Sequence, residues 1–246
     1  MEEQEENEAP GAWAQRIMVV MAHPDDAEFS SGGTLAKWAR EGKEIEYVLF
    51  TRGDKGTSDP EMTSERLAQI REGEQRAAAA VLGVKDVHFL GWPDGGVEDG
   101  WEGRGQVVRH LRRFKPDIVV TMDPQRRYRQ HRDHRNAGTM ALDASFPYAR
   151  DHLFYPEHKA EGLETHHVGE VFIAGAEEPD IFIDIRDTFG LKIDALRCHK
   201  SQVGDGPREA FIERLRTMGA RMMGRLPEGH EPGVTEVFRR VDYRRR

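Results

Sequence analysis

Apolar runs rich in β-branched residues alternate along the chain with longer stretches of helical period, the order expected of βαβ units around a mostly parallel sheet. Ile17, Val19 and Val20 mark a first strand over residues 16–21. Leu35, Trp38 and Ala39 then fall at helical spacing within residues 33–41, and Gly42 supplies the stop. A second strand follows over 44–50. The helix predicted over 64–82 turns Leu67, Ile70, Ala77, Ala78 and Val81 toward the core and closes at Gly83. A short strand at 87–90 and a helix at 105–114 lead through Lys115 and Pro116 into 117–122, a continuous apolar strand of the kind buried on both faces. These four units form a doubly wound half. Beyond them the pattern predicts a helix over 134–145, strands near 168–173 and 181–183, and helices near 188–200 and 208–223. The fold expected is a single-domain α/β architecture over residues 13–246, a Rossmann-like, mostly parallel sheet flanked by helices, behind a disordered acidic lead at 1–12.

The loops carry information of their own. Segments 51–62, 91–103, 123–133 and 146–167 are rich in glycine, proline and charge, and the first three each follow a predicted strand. Ligands of open α/β sheets bind outside the carboxyl ends of the strands, so these loops should converge on one site. Loops 91–103 and 146–167 are the longest irregular stretches and are expected to shape its pocket.

Charged residues make up 33% of the 246 and hydrophobic ones 37%, the balance of a well-solvated globular chain rather than a membrane-embedded one. The net charge of −8 disfavours long-range attraction to nucleic acid. Cys198 is the single cysteine, so no intramolecular disulfide can form, and a reducing, cytoplasmic setting fits. Residues 1–10 are Glu-rich without the basic start and apolar stretch of a secretory signal, and no apolar run reaches the roughly 18 residues of a membrane span.

The sharpest segment is Ala22-His23-Pro24-Asp25-Asp26, directly after the first strand and ahead of Gly32-Gly33-Thr34. An imidazole and a carboxylate three residues apart on a tight turn can face one cation, with Pro24 stiffening the turn between them. Two neighbouring carboxylates suggest divided labour, one binding metal and the other acting as base. Taken alone, the same residues are also compatible with an acidic helix cap beside a strand-end histidine.

A second constellation, His131-Arg132-Asp133-His134, follows the buried strand ending at Met122. His134 can supply a third ligand, and two histidines with one carboxylate form a known catalytic zinc set that leaves a position open for water. Asp133 can orient a histidine ring through its second nitrogen, and His131 is free to handle protons. Arg126, Arg127, Arg129, Arg132 and Arg135 surround the segment, so a solvated basic loop is the rival reading.

At these residues the sequence resembles the PIG-L/LmbE-like N-acetylglucosaminyl deacetylases, a family that includes enzymes of mycothiol and bacillithiol biosynthesis. The resemblance spans nearly the whole chain. It rests on the two segments above, on Gly32-Gly33-Thr34, and on Arg71 and Glu74 in the second helix, with support from Gly91-Trp92-Pro93-Asp94, Ile183-Asp184-Ile185, Lys200-Ser201-Gln202 and Glu236-Val237-Phe238-Arg239. It implies one zinc ion per chain on His23, Asp26 and His134, although such a donor set also admits other divalent metals. It further implies Asp25 as general base, a protonated His131 as electrophilic or acid partner, Arg71 and Asp94 as substrate-binding residues, an amino-sugar or glycoconjugate substrate, and a homo-oligomer. Arg132 stands where the family usually has proline, which loosens the loop and adds a charge.

Two other functions remain open at this level. The first is a zinc amidase of a thiol conjugate or larger glycoconjugate on the same scaffold. The second is a non-catalytic module whose basic loop at 126–135 and Arg-rich end at 244–246 grip an anion or nucleic acid.

Overall fold

β1 (Arg16–Met21) carries side chains buried on both faces from Ile17 onward, and it lies inside a seven-stranded sheet. The computed structural model describes residues 9–128, 130–222 and 226–244, and only the backbone over 218–222. Residues 1–8 of the acidic lead, Arg129, the helix end expected at Met223, and Arg245 and Arg246 lie outside the described residues. The remainder of the lead, residues 9–12, is a turn: Lys43 Nζ donates to the carbonyl of Ala12, and Gly11 packs on the Trp38 ring.

From β1 the chain runs through α1 (Asp26–Arg40), β2 (Glu44–Thr51), α2 (Ser64–Leu82), β3 (Asp86–Trp92), α3 (Trp101–Phe114), β4 (Ile118–Met122) and α4 (Arg132–Ser145). Past a 3-10 turn (Tyr148–Arg150) come α5 (Glu157–Ala160), β5 (Glu170–Ala174), β6 (Ile181–Asp184), α6 (Phe189–Leu196), α7 (Lys200–Val203), α8 (Arg208–Met222) and β7 (Thr235–Asp242). The strand order is β3-β2-β1-β4-β5-β7-β6, parallel from β3 to β5, with β7 antiparallel to both of its neighbours. Alternate residues of β1 feed two cores. Ile17, Val19 and Met21 pack with Leu35 and Trp38 of α1 on one face. Met18 and Val20 pack with Val107 and Leu111 of α3 and Met140 of α4 on the other. This is the expected single α/β domain with helices on both faces of the sheet.

Three expectations change. α1 begins at Asp26 rather than at residue 33, because Ser30 and Ser31 fold their hydroxyls back onto the carbonyls of Asp26 and Ala27 and so read as polar without breaking the helix. On α2, Ile70 and Val81 are only partly covered and Ala77 is exposed, whereas Arg71 and Gln75 are buried. The region 188–200 is split into α6 and α7, and β7 is a strand the periodicity does not announce.

Loop 146–167 packs along α3. Arg112, buried at the last turn of α3, donates to the carbonyls of Tyr148, Ala149, Asp151, Phe154 and Tyr155. His166 Nε2 lies 2.7 Å from the carbonyl of Pro116, just ahead of β4. These contacts lie toward the amino end of β4, while Tyr148, Phe154 and Tyr155 reach Trp101 at the first turn of α3.

Candidate metal centre and active site

The sheet's connections reverse direction between β1 and β4, which makes the crevice outside their carboxyl ends the topological switch point. Both histidine-bearing segments open there: His23 to Asp26 leave β1, and His131 to His134 enter α4. Asp25 caps α1 with a left-handed backbone, φ 89°, a conformation that costs a non-glycine residue about 1–3 kcal/mol and persists only when its surroundings enforce it. Three residues form a triangle here, His23 and His134 each through one ring nitrogen and Asp26 through its two oxygens. His23 Nδ1 and His134 Nε2 are 3.2 Å apart, His134 Nε2 is 3.0 Å from Asp26 Oδ1, and His23 Nδ1 is 3.5 Å from Asp26 Oδ2. Ligands at zinc-like bond lengths of about 2.0–2.2 Å in tetrahedral array stand about 3.3–3.5 Å apart, so this triangle fits one small divalent ion. Ring nitrogens of His23, His131 and His134 also lie within 4.8 Å of one another, and His23, Asp94 and Asp133 form a second such group. Asp94 and Asp133 face the far nitrogen of His23, whereas Asp26 and His134 face its near one.

That far nitrogen, His23 Nε2, faces Asp94 Oδ1 at 3.1 Å and Asp133 Oδ2 at 3.2 Å. Asp133 is the ring-orienting carboxylate expected from the sequence, and His23 is the ring it touches. The same carboxylate accepts from the amides of Gly95 and Val97, at 2.7 and 3.3 Å, and so draws the loop after β3 into the site. Asp54 completes the convergence by accepting from the amide of Asp94 at 2.7 Å. Loops 51–62, 91–103 and 123–133 do meet at one place.

His131 is the N-cap of α4, and its Nδ1 accepts from the Asp133 amide at 3.2 Å. Burial, then the positive charge drawn onto His23 and His134, hold its pKa below the usual histidine value. With Nδ1 accepting from the Asp133 amide, the ring is left to donate from Nε2, whereas the family resemblance implied a protonated ring. The carboxylates pull the other two rings the opposite way. Burial alone would lower the His23 pKa, yet Asp133, Asp26 and Asp94 beside its two nitrogens push it up to about 12. Asp26 is buried too, but the charge and hydrogen bond of His134 hold it well below the ordinary carboxylate range. Three carboxylates, Asp26, Asp94 and Asp133, gathered on the two imidazoles of His23 and His134 form a charge pattern that a cation would offset.

Asp25 differs from its neighbour. Burial and the Asp26 charge push its carboxyl up to about 7, against the opposing pull of Arg71. Arg71 is buried rather than paired with Glu74, which instead accepts from Ser201. Its guanidinium donates to the carbonyls of Pro24 and Lys55 at 2.8 and 3.2 Å and lies 3.5 Å from Asp25 Oδ2 and 4.0 Å from Asp94 Oδ2. Arg71 and Asp94 thus both border the cluster. Pattern reading passes over Gln75 and Glu28 beneath it; the one local signal for Gln75 is a second polar residue one turn after Arg71 on a core-facing stripe.

A cavity of about 490 Å³ opens beside the cluster, lined by His131 and His134 with Asp123, Arg126, Tyr128 and Gln130. Two arginines of the basic run are engaged within the chain. Arg127 pairs with Glu177 and Glu178, and Arg132, the first residue of α4, donates to the Gly95 carbonyl at 2.9 Å and faces Glu98. Arg132 therefore ties the helix start to the 93–97 turn at a position where proline is otherwise favoured.

A doubly wound sheet with a His/Asp cluster at its switch point defines the class of protein. The PIG-L family, described as GlcNAc-PI de-N-acetylase, matches residues 18–145. The diacetylchitobiose deacetylase of Thermococcus kodakarensis is 33% identical over 204 residues, 83% of this chain and 76% of that protein. The 1D-myo-inositol 2-acetamido-2-deoxy-alpha-D-glucopyranoside deacetylase of Streptomyces avermitilis is 35% identical over 168 residues, 58% of this chain and 56% of its own length. Among solved structures, N,N'-diacetylchitobiose deacetylase from Pyrococcus horikoshii matches with a TM-score of 0.86 at 29% identity, covering 98% of this chain and 89% of that one. The chain belongs to the PIG-L family, and with it to the hydrolytic N-deacetylases.

Proposed function

We propose that the chain removes the N-acetyl group of an N-acetylglucosamine-type sugar at one zinc ion held by His23, Asp26 and His134. The observation that carries this reading is the triangle of donor atoms 3.0–3.5 Å apart, with the Asp25 carboxyl beside it at the switch point. A zinc ion bound there supplies Lewis-acid polarisation of the acetamide carbonyl and a water acidified toward neutral pH. Asp25 takes the proton of the attacking water; its raised pKa suits a group that must accept a proton and later give it up. His131 donates from Nε2 to the oxyanion that develops on the acetamide oxygen as water adds to the carbonyl carbon, since its Nδ1 is committed to the Asp133 amide. Asp25 then protonates the departing nitrogen as the C–N bond breaks, leaving acetate and a free amino sugar. Arg71 and Asp94 border the reacting group and bind the sugar.

All these residues come from one chain, so the homo-oligomer expected from the family is not needed to complete the site. Among the described residues no helix is long and apolar enough to cross a membrane, which is compatible with a small-molecule substrate met in water. The test is acetate release from a panel of N-acetylated mono- and disaccharides by zinc-loaded protein, repeated after chelation and re-addition of metal. Metal-dependent release from a glucosamine-type substrate is expected. Activity confined to thiol conjugates would favour the zinc amidase reading, and no hydrolysis by fully loaded protein would remove the proposal.

A further inference from the structure

The peptide bond between Pro24 and Asp25 is gripped at both ends from α2. Its carbonyl accepts from Arg71 Nη2 at 2.8 Å, and its N–H donates to Gln75 Oε1 at 2.9 Å. Arg71 and Gln75 are one helical turn apart on the same buried face. A buried amide that spends its oxygen on Asp25 must place its NH2 group, and Gln75 Nε2 donates to Glu28 Oε1 at 2.8 Å. Glu28 is fully buried and accepts there, which fixes the way round that the amide lies: turned over, Gln75 would set N–H against N–H at Asp25 and oxygen against carboxylate at Glu28. The other Glu28 oxygen faces Nε2 of the equally buried His199 at 3.5 Å. The chain of contacts ends under Asp25, whose backbone is left-handed.

We infer that Gln75 and Glu28 are positioning residues for Asp25: together they hold the strained peptide that presents its carboxylate to the reacting water. This rests on the reading of Asp25 as the base. Neither side chain is placed to touch substrate or metal, so both act through Asp25 alone. A displacement of about 1 Å at a reacting group can cost about 10²-fold in rate.

Steady-state acetate release and bound metal, measured on a small set of variants, decide the matter. Gln75→Met keeps the volume and loses both hydrogen bonds; kcat should fall about 10- to 100-fold with KM within about twofold and full metal content. Glu28→Met should behave likewise, while Glu28→Gln, which keeps an acceptor toward Gln75, recovers most of the loss. In an Asp25→Asn background, assayed at high enzyme concentration, Gln75→Met should cost nothing further. If Gln75→Met does not accumulate as folded protein, Gln75→Glu replaces it: the acceptor for Asp25 stays, the donor to Glu28 goes, and the same loss is expected. Unchanged kcat in the Gln75 variant, or an equal loss in the Asp25→Asn background, overturns the inference. Full activity of Asp25→Asn itself would instead overturn the base assignment.

Discussion

Asp133 reaches His23 across the crevice between β1 and β4, its Oδ2 lying 3.2 Å from Nε2 while the same oxygen accepts from the Gly95 amide at 2.7 Å. One carboxylate therefore faces the far nitrogen of His23, beside Asp94, and anchors the loop after β3. Outer carboxylates of this kind tune ligand basicity, and losing one weakens metal binding by about 10- to 100-fold. Asp133→Asn, which keeps an acceptor for the loop but loses the charge on His23, should raise the metal dissociation constant within that range in a competition titration against a chelator. An unchanged constant would mean that Asp94 alone orients the ring.

On the proposed reading Asp25 is the base while Asp26 and His134 hold the metal, and substitution should separate the two roles. Asp25→Asn should retain one metal per chain and lose about 10²- to 10⁴-fold in kcat, the range general-base removal commonly spans. His134→Ala removes a corner of the donor triangle and should fail to hold metal at the stoichiometry of the parent. Metal analysis beside turnover gives the answer directly. Equal metal loss in both variants would contradict the division between base and ligand.

Metal and protons compete for this site. In the metal-free chain His23 is pushed up to about 12 and His134 is also raised, so at neutral pH a proton occupies nitrogen that a metal must take over. Uptake should release protons, and affinity should rise with pH, by up to about tenfold per unit for each proton displaced. Calorimetric titration in buffers of different ionisation enthalpy measures the number released. The linkage has a second consequence. A histidine whose folded pKa is raised stabilises the fold fully below its unfolded value of 6.5, and that stability is lost as pH climbs toward about 12. The Tm of metal-free protein should therefore drop between pH 7 and 10 more steeply than that of metal-loaded protein, and parallel curves would count against it.

How much of this the sequence discloses depends on the range of the interactions. His23, Asp25 and Asp26 lie within one turn, and His131 to His134 within another; each follows an apolar strand, so local spacing and the rule for open sheets bring them together. Which histidine Asp133 orients is not local, because it depends on how α4 meets the end of β1. Gln75 and Glu28 are silent in the pattern, since a polar residue on a buried stripe looks like an interruption until its partner is known. β7 is hidden for the same reason: its buried Glu236 and exposed Arg239 and Arg240 spoil the alternation that marks a strand. Loop 146–167 is long and polar, as an active-site loop should be, but the Arg112 guanidinium gathers its carbonyls at the last turn of α3.

Glu236 supports the site from behind by entering the middle of α1. Its two oxygens accept from the amides of Gly33 and Thr34 at 2.9 and 2.7 Å, while Lys192 Nζ, 2.6 Å from Oε1, also donates to the carbonyl of Phe29 one turn earlier. Gly33 itself makes room for Ile185, since a Cβ there would lie 2.5 Å from Ile185 Cδ1. Removing one member of a buried, hydrogen-bonded ion pair strands the other, a cost of about 3–5 kcal/mol. Lys192→Met and Glu236→Gln should each lower the urea midpoint accordingly, and the double variant should lose less than the sum, because neither charge is then left alone. Gly33→Ala should destabilise by overpacking, about 1–3 kcal/mol, with the ion pair intact. Since α1 also carries Asp26, all three changes should be most visible in metal-free protein, where no ligand adds to the stability of the fold. Single variants within about 0.5 kcal/mol of the parent, the range of ordinary surface substitutions, would show that the pair is not what holds the middle of α1.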